Sequence, residues 1–306
     1  MLDLVVRADA TLETGAGHVM RCAILAETWR ASRLGKATFV GDVSIDFVRT
    51  RLADVGAVVA SSMPRFERRC IALCDSYDEA ARALVASLDD AIARVLVDDV
   101  GGASVDDRFD IIWNPNAYDA AGLYPASRGE VLSGTAYVPI RSDLPRWNGR
   151  SNLGVSVLLG GGANATRFGG IMATLKEFLP HTPFAGAGSW MPAGWRALAR
   201  AHPWSEIAQS DRVIVAAGAT TWEAAAVGIP VVLVRTAPNQ TLVLDWARGY
   251  DVPVVDLLDD TEEPGQIAAQ LATALSRARP LPAMTDGSPR VRDVLTDLAK
   301  RPRPVG

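Results

Sequence analysis

The sequence predicts an α/β protein built from two doubly wound parallel sheets, each Rossmann-like. Three observations predict this. Short strands that are apolar throughout alternate with helical patterns along 306 residues. The alternation stops at a polar stretch, "PRWNGRSN" (145–152), and then begins again. Glycine-rich turns stand where strands give way to helices. Strands without a polar face belong to a parallel sheet covered by helices on both sides.

The first series opens with "LDLVVRA" (2–8) as a buried strand. A helix is expected over 18–34, with Val19, Cys22, Ala23, Ala26 and Trp29 near 3–4 spacing. "ATFVG" is the next strand, then a helix near 45–55 and a short strand at "AVVA". "RCIALCDSY" and "ARVLVDD" are strands flanking an alanine-rich helix (78–88), and "DIIWNPNAY" ends the series. After the linker come strand "GVSVLLGGG", helix 166–179, strand "PFAGAG", a helix near 191–201 and strand "RVIVAAG". Helix 220–228, strand "PVVLVRT", helix 239–249 and strand "VPVVDL" complete the second sheet, and 264–300 reads as two helices. The expected domains are therefore 1–144 and 151–306, with a cleft between them. Ligands of open parallel sheets bind beyond the carboxyl ends of the strands, so informative residues should follow strands.

Composition narrows the function. Hydrophobic residues make up 49% and charged residues 22%, enough for sizeable cores. The net charge of -4 gives no broad basic face, so nucleic acid is not an expected partner. Three cysteines (Cys22, Cys70, Cys74) form neither a disulfide framework nor a zinc pattern, and three histidines leave no His-rich metal site. No signal peptide and no apolar run of about 18 residues is seen, so a cytoplasmic protein without membrane insertion is expected.

Three glycine turns follow predicted strands: Gly15 and Gly17 before His18, Gly160 to Gly162, and Gly218 in "AAGATTWEAAAVGIP". Glycine lets backbone N–H groups approach a ligand, and a helix start adds partial positive charge, a combination suited to diphosphate. Ordinary strand-to-helix turns use the same residues. None matches GxxxxGK[ST], which argues against a P-loop NTPase. Met20 stands where the third glycine of GxGxxG would fall, so no nicotinamide cofactor is expected. In the third turn Thr220 and Thr221 are placed to cap the helix and offer hydroxyls to phosphate. Glu223 suits either the helix dipole or two ribose hydroxyls, and Asn239 and Gln240 in "APNQ" follow the next strand.

These blocks resemble the PseG-type UDP-sugar hydrolases of the pseudaminic acid pathway and the related SpsG-like proteins. "RADATLETGAGHVMRC" (7–22), "DSY" (75–77), "VDD" (97–99), "WNPNAY" (113–118), "YVPIRSDL" (137–144), "LLGGGANAT" (158–166), "AAGATTWEAAAVGIP" (216–230) and "NQ" (239–240) occur in the family's order. The resemblance implies a GT-B fold similar to that of MurG. It implies water-dependent cleavage of a UDP-activated 2,4-diacetamido-2,4,6-trideoxy sugar at the anomeric carbon, with inversion, without metal or cofactor. It maps the water-activating role onto His18 and the lining of the sugar site onto Tyr77 and Asn239. Its blocks add Arg7, Asp9, Asn116, Tyr118, Arg141, Gly161 and Gly162 to the candidate substrate-binding residues. One departure stands out: relatives often read GGSD or GGTD where this chain has Gly161, Gly162 and Ala163, with Asn164 and Thr166 nearby.

The positive end of a helix disfavours an imidazolium, so His18 is expected to keep one ring nitrogen open to accept a proton. A general base of this kind contributes about 10²–10⁴-fold in rate. Arg21, one turn on, suits electrostatic assistance, a helix surface or an ion pair with Asp9. Asp9, Asp98 and Asp99 end strands, where they orient His18, hold sugar hydroxyls or simply cap. A UDP-sugar hydrolase acting as a monomer is the first expectation. A glycosyltransferase with an alcohol acceptor and a non-catalytic nucleotide-sugar binder are the alternatives.

Overall fold

The computed structural model describes residues 1–64, 69–101, 107–125, 127–149, 153–160, 164–199 and 202–301. The chain divides into two units. The first comprises Met1–Ser142 together with the chain from Thr285 onward, and the second is Asp143–Met284.

In the first unit, β1 (Asp3–Ala8), β2 (Ala37–Val40), β3 (Val58–Ala60), β4 (Cys70–Asp75), β5 (Ala93–Val97), β6 (Ile111–Trp113) and β7 (Glu130–Leu132) form one parallel sheet. Its order is β3-β2-β1-β4-β5-β6-β7. The order reverses at β1 and β4, where Ala8 pairs with Asp75 at the carboxyl ends. A doubly wound sheet opens its ligand crevice at such a point. The helices are α1 (Gly17–Ala31), α2 (Asp46–Asp54), α3 (Glu79–Ala86) and α9 (Ser288–Lys300). Every residue of β4 is buried, as a strand covered on both faces requires.

α1 buries Val19, Cys22, Ala23, Ile24, Leu25, Ala26 and Trp29, more than one stripe. Burial on several sides needs a second covering element beyond the sheet, and α9 is that element. Val291, Leu295 and Ala299 recur at four-residue spacing and join the core of Leu4, Val6, Leu25 and Trp29. The Thr28 and Ser288 hydroxyls meet at 2.7 Å, and Arg292 donates to Ser32 Oγ at 2.8 Å. The chain enters α9 through Gly287, whose N–H reaches the Val138 carbonyl at 2.8 Å. A Cβ there would lie 2.6 Å from the Ala136 carbonyl oxygen, so only glycine permits the approach.

The second unit has β8 (Val155–Leu158), β9 (Phe184–Gly186), β10 (Arg196–Ala197), β11 (Arg212–Ala216), β12 (Val231–Arg235) and β13 (Val254–Asp256), all parallel, in the order β10-β9-β8-β11-β12-β13. Its helices are α4 (Ala165–Phe178), α5 (Trp204–Ile207), α6 (Ala219–Val227), α7 (Thr241–Arg248) and α8 (Pro264–Ser276), with a 3-10 turn at Pro238–Gln240. Here the order reverses at β8 and β11, so the glycine turns at Gly160 and Gly218 follow the two switch-point strands.

The expected elements need four corrections. The first sheet does not end at "DIIWNPNAY", because β7 adds one more strand, only three residues long. No helix forms over the described part of 191–201. Pro192 and Gly194 interrupt the pattern there, and the two-residue strand β10 follows. The stretch at 145–149 is not a free linker, since Trp147 gives its N–H to the Val227 carbonyl and its Nε1–H to that of Ser210, both at 2.9 Å. Finally, the boundaries 1–144 and 151–306 give way to a division at Ser142/Asp143, with the last helix returning to the first unit. Among the described residues no helix is long and apolar enough to cross a membrane.

Candidate functional site

The start of α1 lies at the reversal point of the first sheet. β1 delivers the chain to a turn in which Gly15 N–H bonds the Thr11 carbonyl at 2.8 Å and Gly15 itself takes φ 74°. Added Cβ atoms at Gly15 and Gly17 would meet nothing within 4 Å. Gly15 therefore answers a backbone need, while Gly17 leaves open space in front of the helix. Ala16 is the N-cap and supplies no side-chain bond, so the first turn keeps its amides for another partner.

His18 is in that first turn, with its side chain 13% exposed. Its Nδ1 is 2.6 Å from Oδ1 of Asp75, the last residue of β4, whose side chain is fully buried. Arg21 forks the same carboxylate, donating Nε–H to Oδ2 and Nη2–H to Oδ1, each at 2.6 Å. Cys22 Sγ adds a contact to Oδ2 at 3.3 Å. Burial alone would raise the Asp75 carboxyl, but the Arg21 charge, the His18 ring and their hydrogen bonds outweigh it and hold Asp75 below the usual carboxylate range. An ionised Asp75 can only accept, so the 2.6 Å contact needs a proton on His18 Nδ1. Arg21 Nη2, 3.2 Å from the same Nδ1, then meets a donor, and its hydrogen bond is the one to Asp75. Among the described residues no hydrogen bond engages His18 Nε2.

A second carboxylate continues the cluster. Asp99, just beyond β5, accepts Arg21 Nη1–H at Oδ2 (2.8 Å) and the Tyr77 hydroxyl at Oδ1 (2.6 Å). The Tyr77 ring stands edge-on to the imidazole, with centroids 4.9 Å apart at 83°. Burial and the neighbouring Asp99 charge push the Tyr77 phenol far up, although the residue as a whole is 49% exposed. Burial would raise Asp99 as well, and Arg21 together with Tyr77 lowers it. Arg21, buried between the two acids, is held well above its ordinary value by their charges despite burial.

The backbone that carries Asp99 is itself gripped. Tyr124 donates its hydroxyl to the Asp98 carbonyl at 2.8 Å, and Tyr118 to the Asp99 carbonyl at 3.1 Å. Asn114 and Asn116 bond those two phenols at 3.1 and 3.2 Å. Asn116 and Tyr118, expected among substrate-binding residues, thus stand in the network behind Asp99. Asp98 does not face His18: it receives Gly101 N–H at 2.9 Å and Arg82 Nη2–H at 3.4 Å. Asp9 pairs with Arg7 (2.6 Å) and accepts the Asp42 N–H (2.8 Å), so neither Asp9 nor Asp98 orients the histidine. Arg21 pairs with Asp75 and Asp99 rather than with Asp9 or solvent. Arg141 is buried in the same unit.

In the second unit Gly160 takes φ 77°, while Gly161 and Gly162 lie outside the described residues. Gly218 is the N-cap of α6 and offers no side chain. Thr220 and Thr221 do not cap the helix, since their hydroxyls turn back to the Ala216 carbonyl at 3.0 and 3.4 Å. Glu223 Oε2 accepts the Trp204 indole N–H at 2.7 Å. Gln240 folds its carbonyl oxygen onto the Thr236 and Ala237 N–H groups at 2.7 and 3.1 Å, which leaves Asn239 exposed at the tip of that turn.

Asp75 is the site residue that sequence reasoning missed. It stood in the quoted "DSY" block, and its signal was an acid closing an otherwise apolar strand. Among the described residues no group of histidine, cysteine and carboxylate side chains could hold a metal ion.

No protein-family model matches the chain, and no curated protein matches its sequence. Solved structures do. UDP-GlcNAc 2-epimerase from Neisseria meningitidis, bound to UDP-GlcNAc, superposes with TM-score 0.64 at 10% identity over 98% of this chain and 100% of that one. The spinosyn rhamnosyltransferase SpnG complexed with thymidine diphosphate gives 0.58 at 15%, covering 97% and 96%. MurG from Acinetobacter baumannii gives 0.53 at 13%, covering 97% and 100%. The likeness establishes the fold: two parallel-sheet α/β units of the GT-B type.

Proposed function

We propose that this chain hydrolyses a UDP-activated 2,4-diacetamido-2,4,6-trideoxy sugar at its anomeric carbon, with His18 as general base on water. One observation carries the reading: His18 Nδ1–H is donated to ionised Asp75 at 2.6 Å, at the glycine-opened start of α1. In the neutral ring this tautomer puts the lone pair on Nε2. Nε2 accepts a proton from the attacking water as the new carbon–oxygen bond forms. The bond from the anomeric carbon to the diphosphate oxygen breaks, UDP leaves with the electron pair, and configuration inverts. Asp75 stabilises the imidazolium that results, and the unfilled amides of α1 suit charge growing on the diphosphate.

The second unit is assigned the nucleotide. Gly218 opens α6 toward diphosphate, Glu223 suits the ribose hydroxyls, and Gln240 shapes the turn that presents Asn239. Support for a nucleotide sugar comes from the enzymes that share the fold, one bound to UDP-GlcNAc and one to thymidine diphosphate. The test is incubation with UDP-2,4-diacetamido-2,4,6-trideoxy-altrose without added metal, with UDP release as the readout. A His18→Ala protein that turns over as fast as the unaltered chain would sink the mechanism. A second reading, transfer to an alcohol, is favoured by the glycosyltransferases among the structural neighbours. It predicts slow hydrolysis that accelerates when an acceptor is added.

A further inference from the structure

Arg21 is three positions after His18 on α1 and is only 8% exposed. Its planar guanidinium makes three charge-assisted bonds. Nε and Nη2 form a parallel fork on Asp75, each at 2.6 Å, and Nη1 reaches Asp99 at 2.8 Å. Each of those carboxylates holds one ring of the candidate site: Asp75 takes His18 Nδ1–H, and Asp99 takes the Tyr77 hydroxyl, both at 2.6 Å. The two rings then meet edge to face. His18 and Tyr77 are thus each one carboxylate away from the same rigid cation.

We infer that Arg21 is a positioning residue that fixes the His18 and Tyr77 rings relative to one another through Asp75 and Asp99. The inference rests on the hydrolase reading for its kinetic consequence and on the bond geometry alone for its structural one. A guanidinium is suited to this because its donors diverge at fixed angles in one plane. An ammonium supplies equal charge from a single point, so it compensates two buried acids without setting the direction of either. Charge compensation and positioning therefore separate in Arg21→Lys.

If Arg21 positions the rings, Arg21→Lys lowers kcat for UDP release by about 10²-fold, the cost of roughly an ångström of misplacement. UDP affinity measured by calorimetry stays within about twofold, and the downfield Nδ1 proton of His18 shifts or broadens in NMR spectra. If Arg21 only balances charge, kcat and the His18 ring signals stay as in the unaltered chain, and the inference is overturned. An unaltered protein inert toward every UDP-sugar would remove the hydrolase reading, while the His18 signal of Arg21→Lys still decides the positioning role. Should Arg21→Lys fail to fold, ¹⁵N spectra of the unaltered chain decide. A guanidinium forked on Asp75 and held by Asp99 at its other Nη shows separate signals for its two Nη groups, and averaged signals would refute the geometry.

Discussion

Replacing Asp75 with asparagine removes one charge from the His18 cluster and almost no volume. The carboxylate now accepts from His18 Nδ1 and Arg21 Nη2 on one oxygen and from Arg21 Nε on the other, all at 2.6 Å. An amide has one acceptor oxygen, so either orientation sets its NH₂ against an arginine N–H. The kinetic loss comes from the missing charge opposite the imidazolium formed during proton transfer. At about 4 Å between charge centres and an effective dielectric constant of about 20, that interaction is worth about 4 kcal/mol. At about 1.4 kcal/mol per decade, kcat falls by about 10³-fold. Arg21 keeps Asp99 as a partner, so the variant should stay folded, and its melting transition is followed alongside the UDP-release rate. A folded Asp75→Asn protein within tenfold of the original kcat would refute the assignment of Asp75 as the partner of a catalytic imidazole.

Other outcomes are open to direct measurement. Leu295→Ala removes a fully buried α9 side chain from the first core and should cost about 2–5 kcal/mol in denaturant unfolding. Glu223→Ala should weaken UDP binding in calorimetry by about 10–100-fold, the worth of hydrogen bonds to a charged group, whereas Glu223→Gln should keep the Trp204 bond and the melting temperature. The folded-state values of Asp75 and Asp99 lie below those of the unfolded chain. The stability they lend is therefore present above about pH 4 and lost as pH falls from there through their folded values, visible as an acid-side drop in melting temperature. Burial pushes the Cys74 thiol up to about 12 and Cys22 well above its ordinary value, so neither should react with a thiol reagent at neutral pH until the first unit unfolds.

Much of this arrangement is legible in the chain itself. Apolar strands ending in small or acidic residues reveal both sheets, and the glycines before His18 mark the start of α1. The partners of His18 are not legible, because Asp75 and Asp99 are brought to it by strand order, over separations that no local pattern encodes. The spacing of His18 and Arg21 is visible, yet in the sequence Arg21 stays open among electrostatic assistance to His18, a helix surface and an ion pair with Asp9. Thr220 and Thr221 look like caps, but in the first turn their hydroxyls find the nearer Ala216 carbonyl. β7 is too short to show periodicity, and the apolar residues of 191–199 imitate a helix that Pro192 and Gly194 prevent. The amphipathic stripe of α9 is plain, but the surface it covers is not.

That returning helix bears on how the protein is made. Val291, Leu295 and Ala299, which complete the first core, are translated only after the whole of the second unit. The nascent polypeptide must therefore hold an unfinished amino-terminal sheet, with the α9-facing side of α1 bare, while the intervening unit matures.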